Sequence, residues 1–179
     1  MVSPITPPSL ADLETLDSAT FATQLAPLFE GAPRFLARLA AERPYGSWPD
    51  LFARARAIAH AMPEAEQLGL VDAHPRLGAP RERVSALSFR EQGYDRTLAG
   101  GGAEPADDPV AATLAHLNDA YEARFGFRYC VFVAGRPLAE LLAGFKAALG
   151  ADRETELHRA LDAVVDIAAA RQRTLSPDG

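Results

Sequence analysis

Apolar residues along this chain recur mainly at helical spacing. From Thr20 to Glu30, Phe21, Leu25, Leu28 and Phe29 fall on one side. Phe35, Leu36 and Leu39 mark a second face, which stops before Pro44. From Asp50 onward, Leu51, Phe52, Ala55 and Ile58-Ala59 recur three and four apart, as one face of a helix requires. Pro63 then suits the first turn of a helix running from Glu64 to about Val71. Further on, Leu114, Leu117 and Tyr121 predict a long helix ending near Arg124 and capped by Asp107 or Asp108. Two final helices cover Leu138 to Leu149 and Arg153 to about Leu175. At the start, Ser9 caps a short helix through about Leu16, and residues 1–8 read as an extended arm.

Between Phe125 and Ala134 the pattern changes. Phe127, Tyr129, Val131 and Val133 alternate within an almost wholly apolar run, which predicts a short, buried, extended segment. Gly135-Arg136-Pro137 turns the chain after it, and Gly100-Gly101-Gly102 with Pro105 forms a loop before the long helix. The expected architecture is all-α: one domain over residues 1–179, about eight to ten helices, and that single extended segment.

The stretch from His74 to Gln92 does not fit a scaffold role alone. Pro75 biases His74 out of helical geometry, so the imidazole sits just past a helix end. Ser88 begins the next helix. Ser88, Glu91 and Gln92 stand at i, i+3 and i+4, and so share a face. S-x-x-E also matches a capping box, in which Ser88 and Glu91 satisfy only backbone donors. Gln92 tilts the balance, because three hydrogen-bonding groups on one face suit a polar neighbour. His60, His116 and His158 lie on helical segments and read as surface or boundary residues. Arg136, at the rim of the extended run, is either a cap for backbone carbonyls or an anion hook, since its fork matches a carboxylate.

Charge and composition remove other classes. A net charge of −6 with scattered arginines disfavours nucleic acid, which needs a basic stripe. The single cysteine, Cys130, excludes an internal disulfide and reads as an inert buried thiol. No G-x-S-x-G elbow, P-loop or H-E-x-x-H motif occurs, so neither a hydrolase triad nor a metal is expected. No apolar run reaches membrane-spanning length, and the N-terminal residues lack a basic, apolar leader, so the expected location is cytoplasmic.

An ordered set of short motifs resembles one family. It comprises Phe29-Glu30 with Pro33, Ala73-His74-Pro75-Arg76-Leu77-Gly78, Ser88-x-x-Glu91-Gln92 and Leu117-Asn118-x-x-Tyr121-x-x-Arg124-Phe125-Gly126-Phe127. Val131-x-Val133-x-Gly135-Arg136 and Glu156-Leu157-x-x-Ala160-Leu161, with Ile167-Ala168 and Arg171, complete it. Together these resemble 2-oxo-4-hydroxy-4-carboxy-5-ureidoimidazoline (OHCU) decarboxylases of uric acid degradation. The resemblance implies a mostly helical, cofactor-free homodimer that forms (S)-allantoin and carbon dioxide from a small anionic ureide. It implies His74 and Glu91 as catalytic residues, with Pro75, Ser88, Gln92 and Arg136 binding substrate. The backbone of Phe132, Val133, Ala134 and Gly135 would also touch substrate. Two departures stand out: Arg76 replaces an Asp common in the family, and Arg34 replaces an aromatic after the early proline. Other readings of the same residues are a helical binding module for a purine-derived ureide, or a lyase or hydrolase acting on another ureide. His74 together with Glu91 favours an enzyme, since a binder needs no proton handler.

Overall fold

Serine, aspartate and proline set the helix boundaries of the first part of the chain. A computed structural model describes residues 9–93 and 109–175. The arm at residues 1–8, the triple-glycine loop and the Asp107/Asp108 cap fall outside that range. Among the described residues there are nine α-helices and no strand, in agreement with the all-α expectation.

Two compact units divide the chain: one runs to Ala73 and resumes at Val165, the other spans His74–Val164. The first begins with α1 (Leu10–Glu14), where Ser9 and Asp12 form a reciprocal capping box. Asp17 caps α2 (Ser18–Leu25), accepting from the amides of Ala19 and Thr20. The helix starts two residues before the expected Thr20 and gives way early to a 3-10 turn, Ala26–Phe29. Pro27 explains the change, because it has no N–H to continue the α-helical ladder. Pro33 opens α3 (Pro33–Ala41). Ser47 caps α4 (Trp48–Ala61), drawing Trp48 and Pro49 into a first turn that reads as loop in the sequence. A proline in that turn loses nothing, since its N–H would have no helical partner. Next comes α5 (Glu64–Asp72). Phe21, Phe29, Phe35, Leu39 and Leu51 are buried, each on the side its periodicity indicates. Arg171 is buried too, donating to Pro27 O at 2.8 Å and to Glu30 Oε1 at 2.7 Å.

The second unit holds the stretch of chemical interest. Its helices are α6 (Ala86–Glu91), α7 (Pro109–Phe125), α8 (Leu138–Ala148) and the first part of α9 (Arg153–Leu175). Tyr121 lies at its centre, with the rings of Phe125, Phe127, Tyr129 and Phe145 within 6 Å between centroids. Gly126, at φ +80, ends α7 and donates to Glu122 O. From Gly126 to Val133 the chain is neither helix nor paired strand. Its carbonyls are met by arginines instead. Arg153 donates to Phe125 O, Arg159 to Cys130 O, and Arg136 to Phe132 O and Val133 O. These bonds replace the ladder that would otherwise satisfy a buried extended backbone.

One helix start differs in a way that matters. Ser85, not Ser88, caps α6, accepting from Ser88 N at 3.1 Å. Ser88 lies inside the helix and is only 3% exposed. The Ser88–Glu91 pair is therefore no capping box, which removes the structural explanation for its spacing.

Candidate active site

A helix that must stop before a proline delivers His74. Ala73, the C-cap of α5, donates its amide to Gly69 O at 3.2 Å. His74 then leaves the helix, as a residue before proline must. It is 3% exposed, whereas His116 and His158 are exposed and His60 is half-buried. Burial thus separates His74 from the other histidines along the line its proline suggests.

The turn after it is braced from several sides. Ala79 N donates to Arg76 O at 3.1 Å, closing a turn with Gly78 at φ +76. That left-handed φ suits glycine at the third turn position. Space makes the same demand: a Cβ on Gly78 would come 2.9 Å from Leu114 Cδ1. Gly78 N donates to Gln92 Oε1 at 2.7 Å, and Gln92 Nε2 reaches Arg76 O at 3.4 Å. Asn118 Nδ2 donates to Leu77 O at 2.9 Å. Arg128 Nη1 donates to His74 O at 3.0 Å.

Gln92 therefore joins the His74 turn to the end of α6, where Glu91 is half-buried and Ser88 fully buried. Of the three residues expected to share a face, Gln92 meets this turn. Pro75 is half-buried within the turn.

Arg136 makes the carbonyl contacts that the first of its two readings describes. Its Nε donates to Val133 O at 3.0 Å and its Nη2 to Phe132 O at 2.7 Å. Between them the chain reverses: Arg136 N bonds Val133 O at 3.1 Å, with Ala134 at φ 52 and Gly135 at φ 72. A left-handed alanine costs energy that only surrounding structure can sustain, and such residues cluster at ligand clamps. Phe132 is half-buried, Val133 buried, and Ala134 and Gly135 exposed. Arg136 also lines a cavity of about 460 Å³ with Tyr129, Glu140, Glu156 and Arg159, in which no other candidate residue takes part.

Several residues of this frame carry no role in the sequence reading. Asn118 is one; its signal is a polar side chain at i+4 from Leu114 and i−3 from Tyr121, on the apolar face of α7. Glu156 is another, 3% exposed, accepting from Tyr121 Oη at 2.8 Å and from Arg159 Nε at 2.9 Å. Arg128 has no periodic signal, because its contact crosses 54 residues of sequence. Arg76 forks onto Glu122 at 2.7 and 2.6 Å and reaches Asp119 at 3.0 Å. Those carboxylates of α7 absorb its positive charge.

Comparison with known proteins agrees with the motifs. The family model described as OHCU decarboxylase matches residues 14–173. A 2-oxo-4-hydroxy-4-carboxy-5-ureidoimidazoline decarboxylase of Haloferax volcanii is 30% identical over 91% of this chain and 93% of its own length. The uric acid degradation bifunctional protein of Bacillus subtilis is 31% identical over 91% of this chain, but the matched region is 32% of that longer protein. The chain thus spans about a third of the bifunctional relatives it matches. Among solved structures, an OHCU decarboxylase crystallised with (S)-allantoin superposes with a TM-score of 0.66 at 22% identity, covering 87% of this chain and 98% of that one. At that identity the likeness establishes the fold.

Proposed function

The chain belongs to the OHCU decarboxylase family, and from that we propose that it converts 2-oxo-4-hydroxy-4-carboxy-5-ureidoimidazoline to (S)-allantoin and carbon dioxide. The observation that carries this reading is a buried His74 on a turn held by Gln92 of the Ser88–Gln92 face. A proton handler on a braced turn, joined through Gln92 to the helix that carries Glu91 and Ser88, suits the chemistry proposed.

In the reaction the bond from the ring carbon to the carboxylate breaks, and its electron pair moves toward the neighbouring ring C=N. No metal or cofactor is needed to accept that pair. The product is an enol, whose hydroxyl proton must leave while a proton arrives on one face of the carbon bearing the ureido group. His74 takes the hydroxyl proton and supplies the other, as a general acid–base group. Glu91 holds the imidazole or the substrate in register. Ser88, Pro75, Gln92 and the Phe132–Gly135 backbone orient the ring and ureido group, and Arg136 holds the anion. Orientation and preorganised dipoles supply most of the acceleration.

The reading treats residues 1–179 as one domain, because the matched span runs through both compact units. The family resemblance further supports a homodimer. No described helix is long and apolar enough to cross a membrane.

The test is circular dichroism of freshly generated OHCU with and without the protein. Accelerated appearance of optically active (S)-allantoin is the expected result. Decay at the uncatalysed rate, to racemic product, would overturn the assignment.

A further inference from the structure

The peptide between His74 and Pro75 offers one polar handle. Pro75 has no N–H, so that unit can be fixed by hydrogen bonding only at the His74 carbonyl oxygen. Arg128 Nη1 donates to that oxygen at 3.0 Å. The other braces of the turn act downstream of the proline, on Arg76 O, Leu77 O and Gly78 N.

Arg128 is itself firmly placed. It stands in the extended segment between Phe127 and Tyr129, both buried against the Tyr121 ring. Its own side chain is half-buried and reaches the His74 carbonyl. The same segment continues into Phe132–Arg136, the second group of candidate substrate contacts.

We propose that Arg128 is a positioning residue for His74, holding the backbone of the imidazole against the segment that carries the Phe132–Arg136 turn. One guanidinium thereby sets the distance between the proton handler and the substrate-facing backbone. Its kinetic consequence rests on the decarboxylase reading; the geometry does not.

Arg128→Met keeps the apolar stem and loses the donors, while Arg128→Lys keeps a charge and a single-point donor. The experiment combines steady-state kinetics on OHCU, thermal unfolding, and imidazole ¹H–¹³C spectra in which the His74 signal is identified by its loss in His74→Asn. Arg128→Met should lower kcat on the order of 10- to 100-fold, the scale of a small misplacement of a reacting group. KM, helical signal and Tm should stay close to wild type, and Arg128→Lys should recover part of kcat. The His74 signal should move in Arg128→Met while those of His60, His116 and His158 stay in place. An unmoved His74 signal with wild-type kcat overturns the proposal, as does a kcat loss that merely follows the folded fraction. If wild type itself has no activity, the decarboxylase reading fails and the His74 signal alone decides the positioning role. If Arg128→Met does not fold, Arg128→Gln, too short to reach, takes its place under the same criteria.

Discussion

Gln92, the residue after the last of α6, accepts a 2.7 Å hydrogen bond from the amide of Gly78, which shapes the turn beyond His74. A side chain read from sequence as a substrate contact is thus also a strut. Gln92→Leu leaves the half-buried Gly78 amide without this partner, and a hydrogen bond of this kind contributes about 0.5–1.5 kcal/mol. Chemical denaturation should show a loss of that size, with kcat falling as the His74 turn loosens. A raised KM with unchanged stability would assign Gln92 to substrate alone.

Arg136 has both of its sequence readings open to one substitution. Its guanidinium clips Phe132 O and Val133 O, yet it lines a cavity edge beside the strained Ala134–Gly135 turn. Lysine keeps the charge and loses the fork. Arg136→Lys should raise KM for the carboxylated substrate by a larger factor than it lowers stability. Unchanged kinetics with a lowered Tm would leave Arg136 as a backbone clip only.

The outcome follows what periodicity can report. Phe21, Leu39, Leu51, Tyr121 and Leu161 are buried as their spacing indicates, because burial of a helix face is a local pattern. The start of α6 was not legible, since Ser85 and Ser88 stand three residues apart and either could cap; only tertiary packing turns Ser88 inward. His74 was singled out by its neighbour Pro75, a local rule. Arg128 and Asn118 act over 54 and 41 residues, and no local rule reaches that far. The arginine-satisfied segment shows the same limit: alternation sets it apart from the helices, while the partners of its carbonyls lie elsewhere in the chain.

Buried tyrosines bear on alkaline stability. Burial pushes the Tyr121 and Tyr129 phenols above the ordinary 10.0, and it pushes Tyr45 up to about 12. Each folded value exceeds the unfolded one, so the folded state keeps its proton longer. The resulting stability is complete below about pH 10 and is lost as pH rises through the folded values. Unfolding free energy should therefore fall from about pH 10 upward, with phenolate absorbance and loss of helical signal appearing together. All tyrosines titrating near 10 in a protein that keeps its helical signal would contradict this.

His74→Asn tests the central claim most directly. General acid–base groups contribute on the order of 10²–10⁴-fold, so kcat for (S)-allantoin formation should fall by about that factor. Circular dichroism on OHCU gives the rate, and thermal unfolding of the same sample should give a Tm close to wild type. A folded His74→Asn protein that forms (S)-allantoin at the wild-type rate would contradict the assignment of His74 as the proton handler.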